Sequence, residues 1–286
     1  GEQQTLFDLS NVTAALPALA RCENVAALRA EYPPPEDPRV RERVRELERE
    51  VEQLREHTGD GDPQQLLQRL EEVTHEAARL GYAPLTSHAR ATWGDRLLFT
   101  GRTEEGLALL EESLFEAQQA GATRAAASTL ITLLRARAER LSDFETALFM
   151  GRLAEATIAS LPEHQTLESR LEFAWARALA AAGRVEDAEP HARAALRIRV
   201  ELGQADALSG LEASAYLAWI LLVQEQTGEA ATLLDDTIAR GHQRLGLLHP
   251  VVANALIYRA RLHTGRGDLE AALTDLRAAH RTYATL

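Results

Sequence analysis

The sequence predicts an all-α protein, an α-solenoid of stacked antiparallel helix pairs. Three observations support this fold class. The good helix formers Ala, Leu, Glu and Arg dominate the 286 residues. Long alternating runs of β-branched residues, the usual signal of strands, are absent. A short motif also recurs at a nearly constant spacing, and a fixed period of this size is the signature of stacked repeats.

The recurring motif has the order small, polar, any residue, acidic, any residue, small, with some variation between copies. Five copies begin at Gly101, Ser142, Gly183, Glu225 and Gly267. By counting along the chain, successive starts lie 41, 41, 42 and 42 residues apart, and a weaker copy begins near Gly61. Because a solenoid repeat contacts only its neighbours, a constant period indicates one structural unit repeated along the chain.

Each unit divides into two helices at this motif. Before it, apolar and small residues recur at helical spacing, as at Trp175, Ala176 and Leu179, and after it Ala188 and Ala195 continue the pattern. The first residue of the motif is therefore expected at a turn, where a residue free to adopt positive φ is useful. The predicted helix pairs are 38–80, 84–120, 122–160, 163–202, 205–241 and 249–286.

These features resemble the tetratricopeptide repeat (TPR), which has a small residue midway through helix A, Gly at the turn and Ala in helix B. The segments Glu186–Leu202 and His249–Leu256 resemble the longer repeats of the kinesin light chain type. The resemblance covers roughly residues 62–286 and implies a right-handed superhelix. Arg135 at a small position and Glu225 at a turn depart from the pattern, and the stack can bend or loosen there.

The chain before residue 62 has a different pattern. Residues 1–37 are predicted to form a helical segment and a Pro-rich linker, since the consecutive prolines of Tyr32–Pro38 forbid a helix. Residues 38–57 carry apolar positions at spacings of 4, 3, 4 and 3, which is typical of a coiled coil. These positions are Val40, Val44, Leu47, Val51 and Leu54. Because only two heptads are present, we interpret them as helix A of a first, atypical repeat or as an N-terminal cap.

The segment Ala15–Val44 resembles the stretch that joins the kinase domain to C-terminal repeats in large bacterial serine/threonine protein kinases. The matching residues are Leu-Pro-x-Leu-Ala-Arg-Cys, then Ala-Leu-Arg, then the Pro cluster. The resemblance implies a non-catalytic C-terminal part of such a kinase, and the start at Gly1 instead of Met suggests a fragment. The chain has no Lys, His-Arg-Asp or Asp-Phe-Gly, so it is not expected to be an enzyme itself. The alternative is a stand-alone TPR adaptor or a peptide-sensing domain of a transcription regulator.

Charge and cysteine content narrow the possible partners and the compartment. The net charge of −12 argues against binding to nucleic acid or to anionic membranes, which need a basic surface. No apolar run approaches the roughly 18 residues of a membrane span. The single cysteine, Cys22, cannot form an intrachain disulfide, so a reducing, cytoplasmic location is expected. We expect a monomer, or a weak dimer through a terminal helix such as 267–284.

Three motifs that suggest chemistry have simpler explanations. Arg266-Gly267-Asp268 matches an adhesion tripeptide, but it is the fifth copy of the repeat turn, with Asp268 placed to cap helix B. His75–Leu80 begins like a zinc-protease helix, but an arginine holds the second ligand position. The calcium-loop pattern that starts at Asp60 lacks its central Gly, and Asp62 is expected to be an N-cap. No catalytic residue, metal site or cofactor is therefore predicted.

The TPR resemblance also implies which helix A residues face the concave surface. They are His88, Asp95, Phe99, Thr129, Thr132, Glu139, Arg170, Phe173, Arg177, Glu212, Trp219, Asn254, Ile257 and Arg261. Arginine forks suit carboxylates, an Asn can hold an extended backbone, and Trp is a common anchor residue. We therefore expect these residues to bind a peptide or partner segment, and we consider an acidic one.

Overall fold

The computed structural model of the chain describes residues 32–56 and 62–285. Within these ranges every regular element is an α-helix. In chain order the helices are α1 (Pro38–Glu56), α2 (Pro63–Leu80), α3 (Ala83–Phe99), α4 (Thr103–Gln119), α5 (Thr123–Leu141), α6 (Phe144–Ala159), α7 (Gln165–Ala181), α8 (Val185–Glu201), α9 (Leu208–Val223), α10 (Thr227–Leu245), α11 (Pro250–Gly265) and α12 (Leu269–Thr285). Cys22 and most of the segment that resembles a kinase linker lie outside the described residues.

The helices form six consecutive pairs stacked in one row. The odd-numbered helices α1, α3, α5 and α7 pack against one another in turn, as α9 does against α11. The even-numbered helices pack against their odd-numbered neighbours and not closely against one another. Because helices on the inside of a curved stack crowd together while those outside separate, the odd-numbered helices line the concave surface. The described chain is thus an α-solenoid, as predicted.

Positive φ recurs at the start of the five full motif copies, whereas the weaker copy near Gly61 begins outside the described residues. The φ angles are +82° at Gly101, +53° at Ser142, +76° at Gly183, +63° at Glu225 and +79° at Gly267. A left-handed residue after a helix lets the following amide bond back to the helix end, and this satisfies carbonyls that the helix leaves free. The prediction of a positive-φ residue at each turn is confirmed, including the two turns without glycine.

The two departures from the repeat pattern take different forms. At Glu225 the next amide, that of Gln226, donates to the Leu221 carbonyl at 2.8 Å, and the glycine turn at Gly183 has the same bond at 2.9 Å. After α5 the corresponding bond closes over one more residue, from Asp143 to Arg137 at 3.0 Å. Arg135, at the expected small position, is half-buried and pairs with carboxylates from two helices.

Small residues bring α3 and α4 very close together. A Cβ placed on Gly94 would lie 2.7 Å from the Gly106 carbonyl oxygen, and one on Gly106 would lie 2.6 Å from that of Gly94. Beside this contact the hydroxyl of Ser113 lies 2.8 Å from Ser87 Oγ. Buried hydroxyls paired in this way leave no donor unsatisfied. The observed packing agrees with the prediction that small residues allow the two backbones of a pair to approach.

The fifth helix pair ends later than predicted. The fifth pair was expected to end at residue 241, but α10 continues to Leu245 and Gly246 supplies the positive φ. Gly241 is instead a buried contact with α11, where a Cβ would lie 2.7 Å from Val252 Cγ2. A glycine near the end of a helical pattern can mark a turn or a close approach, and here it is the second.

The N-terminal helix α1 belongs to the stack. Val44, Leu47 and Val51 are buried against α2 and α3, while Val40 and Leu54 at the ends of the stripe are partly buried. Asp62 caps α2 by accepting from the Gln64 amide at 2.9 Å. The heptad-like stripe is therefore the buried face of helix A in a first pair. The Pro-rich segment before it is not helical and is anchored by Tyr32, whose ring meets Tyr82 edge to face.

The buried side chains form three groups along the stack. One joins α1, α2 and the start of α3, a second runs from the end of α3 to α7, and a third runs from α7 to α12. Among the described inner helices, α7 and α9 are the neighbours that do not pack closely against each other. The concave surface therefore has a gap between α7 and α9, and the candidate site lies there.

Candidate peptide-binding groove

We call the concave surface of α3, α5, α7, α9 and α11 the groove. A row of ion pairs crosses its first part. Arg135 of α5 bonds to Asp95 of α3 and also approaches Glu139, with Nη1 3.8 Å from Oε2. Glu139 in turn accepts both sides of the Arg177 fork, with Nη2 3.0 Å from Oε2. Three of the predicted groove residues, Asp95, Glu139 and Arg177, thus hold neighbouring helices together and already have partners of opposite charge.

Aromatic rings bridge the gap between α7 and α9. The rings of Phe173 and Tyr216 meet edge to face at 5.5 Å, and Tyr216 lies 5.1 Å from the Trp219 ring. The Arg177 guanidinium lies 5.8 Å from the centre of the Phe173 ring and 5.9 Å from that of Tyr216. Cations at this distance from a ring face are attracted by its electrons. Burial raises the pKa of the Tyr216 hydroxyl, so it stays protonated at neutral pH.

A cavity of about 150 Å³ opens beside these rings, and we call it the aromatic pocket. It is lined by Phe173, Arg177, Glu212, Ala215, Tyr216, Val251, Asn254 and Tyr258. Four of these, Phe173, Arg177, Glu212 and Asn254, are predicted site residues that lie far apart in sequence. The structure brings them together at one place, where α7, α9 and α11 face one another across the gap.

The pocket has one carboxylate that is not neutralised by a direct contact. Glu212 has no hydrogen-bond partner among the described residues, and burial raises its pKa above the ordinary value. The nearby Arg177 acts in the opposite direction. The amide of Asn254 is only partly used, since its Oδ1 accepts from Tyr283 at 2.7 Å while its NH₂ group has no partner among the described residues. The pocket thus offers an acceptor, a donor and three aromatic walls.

The remaining predicted residues lie in different settings. Thr129 is 1% exposed and lies 3.2 Å from Ser113 Oγ, so its hydroxyl is enclosed between α4 and α5. Thr132 is half-buried and donates to the Ser128 carbonyl of its own helix. Ile257 and Arg261 are exposed on α11 beyond the pocket. Their proposed part in binding stays a prediction.

The predicted residues Phe99 and His88 lie on α3, at the N-terminal end of the groove. Phe99 is 54% exposed, and the guanidiniums of Arg96, Arg135 and Arg140 surround its ring at 6.0, 5.7 and 4.7 Å. His88 is half-buried, and burial together with the charges of neighbouring arginines lowers its pKa to about 4. His88 is therefore neutral at physiological pH. This end of the groove is rich in arginine, unlike the acidic chain as a whole.

Sequence reasoning missed several residues of the groove. Tyr216 and Tyr258 form walls of the aromatic pocket, and they lie one repeat apart, at 42 residues by count. The period could have identified them as equivalent positions. Arg55 lies on α1, and its closeness to residues of α7 and α8 depends on how tightly the solenoid curves. The period does not specify that curvature.

Comparison with known proteins gives matches among solved structures. BtubC (BKLC) from P. vanneervenii superimposes with a TM-score of 0.62 at 16% sequence identity, over 79% of this chain and 92% of that chain. A putative kinesin light chain from Podosopora anserina with nearly identical TPR-like repeats gives a TM-score of 0.53 at 21% identity, over 70% of this chain and 96% of that chain. No protein-family model and no curated protein matches the sequence.

The fold is a TPR-like α-solenoid. At these identities the likeness establishes architecture only, and the chemistry of the groove must be argued from its own residues. The sequence-based resemblance to kinesin light chain repeats is confirmed at the level of fold. None of the described helices is long and apolar enough to cross a membrane.

Proposed function

We propose that the TPR-like solenoid is a protein-interaction scaffold that binds a segment of a partner protein in its groove. The observation that carries this proposal is the aromatic pocket. The other neighbouring inner helices of the described chain pack against each other, but α7 and α9 are separated. A cavity lined by aromatic rings, a carboxylate and an amide lies in the space between them. About 150 Å³ accommodates a single side chain and is smaller than a typical pocket for a small molecule.

The pocket's walls define what a partner segment must offer. Phe173, Tyr216 and Tyr258 favour a large apolar or aromatic anchor, and such anchors dominate the binding energy of many interfaces. The Asn254 amide can donate to a carbonyl of the segment's backbone. Carboxylates on the segment would meet the arginine-rich end of the groove. A short segment with a large apolar side chain flanked by acidic residues therefore fits the groove.

A displayed library of random 12-residue peptides tests this proposal. Peptides selected on the full chain are expected to lose at least about tenfold in affinity when Phe173 is replaced by Ala, because anchor contacts of this kind are worth about 2 kcal/mol. Phe115→Ala is the matched control, since Phe115 is 61% exposed on the outer helix α4 and its loss removes the same ring. Affinity is measured by fluorescence anisotropy, and folding of both variants by circular dichroism. Equal affinity for Phe173→Ala and the wild type would contradict binding at this pocket.

We further propose that this scaffold is the C-terminal regulatory region of a bacterial serine/threonine protein kinase. The support is the resemblance of Ala15–Val44 to the linker that precedes such repeats. The complete open reading frame decides the matter. A kinase domain with His-Arg-Asp and Asp-Phe-Gly motifs before Gly1 is the expected result. A DNA-binding domain, or no further domain, would overturn the kinase proposal in favour of a transcription regulator or a stand-alone adaptor.

A further inference from the structure

Arg55 and three arginines near it form what we call the arginine cluster. They are Arg55 of α1, Arg96 of α3, Arg170 of α7 and Arg199 of α8. They come from four helices in three different pairs, so no local sequence pattern groups them. In a chain with a net charge of −12, such a concentration of one sign is unexpected.

The hydrogen bonds of the cluster leave most of its charge uncompensated. Arg96 donates to the main-chain carbonyl of Arg55, and Arg170 donates to Ser128 Oγ at 3.0 Å. Arg199 is 6% exposed and donates to the side-chain oxygen of Gln204 at 2.7 Å. All three acceptors are neutral groups. Buried or half-buried guanidiniums normally pair with carboxylates, since an unpaired buried charge is costly.

Arg55 is near enough to the other three guanidiniums to affect each of them. Burial and the positive charge of Arg55 both lower the pKa of Arg96, of Arg170 and of Arg199, and that of Arg170 falls to about 10. Arg199 also acts on Arg170 in the same direction. The cluster is therefore one region of positive potential around Arg55, and two of its members, Arg96 and Arg170, lie on helices that line the groove.

The nearest carboxylates neutralise only half of this charge. Glu52 forms an ion pair with Arg55 on the same helix, and Glu212 is close enough to favour the charged form of Arg199. Four positive and two negative charges leave an excess of two. The ion pair of Arg135 with Asp95 beside the cluster adds no net charge.

We propose that the arginine cluster binds a phosphoryl group carried by the partner segment that occupies the groove. A phosphomonoester carries nearly two negative charges at neutral pH and three acceptor oxygens, which matches the excess charge and the number of arginines without a carboxylate. Arginine forks bind such groups through paired hydrogen bonds. A single carboxylate supplies one charge and would leave the cluster positive. The proposal rests on the groove being the partner-binding surface.

The test compares two labelled libraries of nine-residue peptides on the full chain. The central residue is phosphoserine in one library and serine in the other, and the flanking positions are random. Fluorescence anisotropy should show that the phosphoserine library binds at least about tenfold more tightly, as expected for hydrogen bonds between charged groups. The difference should shrink at high salt, which screens the attraction. Equal affinity for the two libraries would overturn the proposal.

Two variants locate the phosphoryl group. Arg170→Gln should remove most of the preference for phosphoserine, and Arg96→Gln should reduce it independently of any folding defect in the first variant. Arg197→Gln is the control, because Arg197 is an exposed arginine of α8 that pairs with Glu201, and its replacement removes the same charge. A preference that survives both cluster variants, or falls equally in the control, would contradict the assignment.

Inorganic phosphate and Phe173→Ala separate the remaining possibilities. If inorganic phosphate alone binds as tightly as the phosphoserine library, the site binds a free anion, and the proposal of a phosphoryl group carried by a partner is wrong. Weaker binding of unphosphorylated peptides to Phe173→Ala reports on the aromatic pocket alone. If Phe173→Ala leaves peptide binding unchanged while Arg170→Gln still abolishes the preference for phosphoserine, binding at the aromatic pocket is contradicted and the proposal for the arginine cluster stands.

Discussion

Replacing Gly106 by Ala should destabilise the protein, because α3 and α4 are in backbone contact at this residue. The new Cβ would lie 2.6 Å from the Gly94 carbonyl oxygen and 3.0 Å from Leu98 Cγ. An ordinary contact needs about 3.4 Å, so the helices must separate by roughly 0.8 Å, and overpacking of this kind costs about 1–3 kcal/mol. Alanine also favours the helix by about 1 kcal/mol relative to glycine, which offsets part of that cost.

The matched control is Gly228→Ala in α10, where a Cβ would meet nothing within 4 Å. Subtracting the stability change of Gly228→Ala from that of Gly106→Ala removes most of the contribution of helix propensity and leaves the packing cost. Thermal melts followed by circular dichroism should show Gly106→Ala below Gly228→Ala by several degrees, at roughly 2–4 °C per kcal/mol for a chain somewhat smaller than this one. A melting temperature of Gly106→Ala equal to or above that of the control would refute the close approach of the two helices.

Three further predictions concern charge and backbone strain. The pKa of His88 is lowered to about 4 in the folded state, so the unfolded state binds the proton first as the pH falls. Stability should therefore decrease between pH 6.5 and pH 4, by at most about 3 kcal/mol. Urea titrations at each pH should show a flatter dependence for His88→Gln. Arg259→Met should cost about 3–5 kcal/mol in urea unfolding, because it leaves buried Asp275 without its two-bond partner, and adding Asp275→Leu should restore most of the loss. Glu225→Gly should raise the melting temperature by relieving the cost of positive φ, about 1 kcal/mol at most, whereas Gln224→Gly, at φ −87°, should not.

The period of the sequence predicts the stack well because it records the turns. Ser142 and Glu225 adopt the same left-handed conformation as the glycines at equivalent positions, since the turn is imposed by the two helices it joins. Gly241 shows the limit of this reasoning. A glycine can be required by a turn or by a neighbouring helix, and the sequence around it does not distinguish the two cases.

The groove was predictable only in part, because its residues meet through curvature. The TPR resemblance implies which face of α7 or α9 is inward and assigns Phe173 and Glu212 to the concave surface, and both line the aromatic pocket. It does not reveal that Arg177 is already bound by Glu139, since that ion pair joins different helices. The nearness of Arg55 to Arg199 depends on the summed rotation of several helix pairs, which no local pattern encodes.

The separation of α7 and α9 has a mechanical consequence. Ala176 and Leu179 of α7 share a buried group with α9, but on the concave side the two helices meet through the aromatic contact between Phe173 and Tyr216. A partner side chain in the aromatic pocket would touch α7, α9 and α11 together and supply contacts that α7 and α9 do not make closely with each other. Occupancy would then stiffen the superhelix at this joint, so that the pitch of the stack would depend on whether a partner is bound.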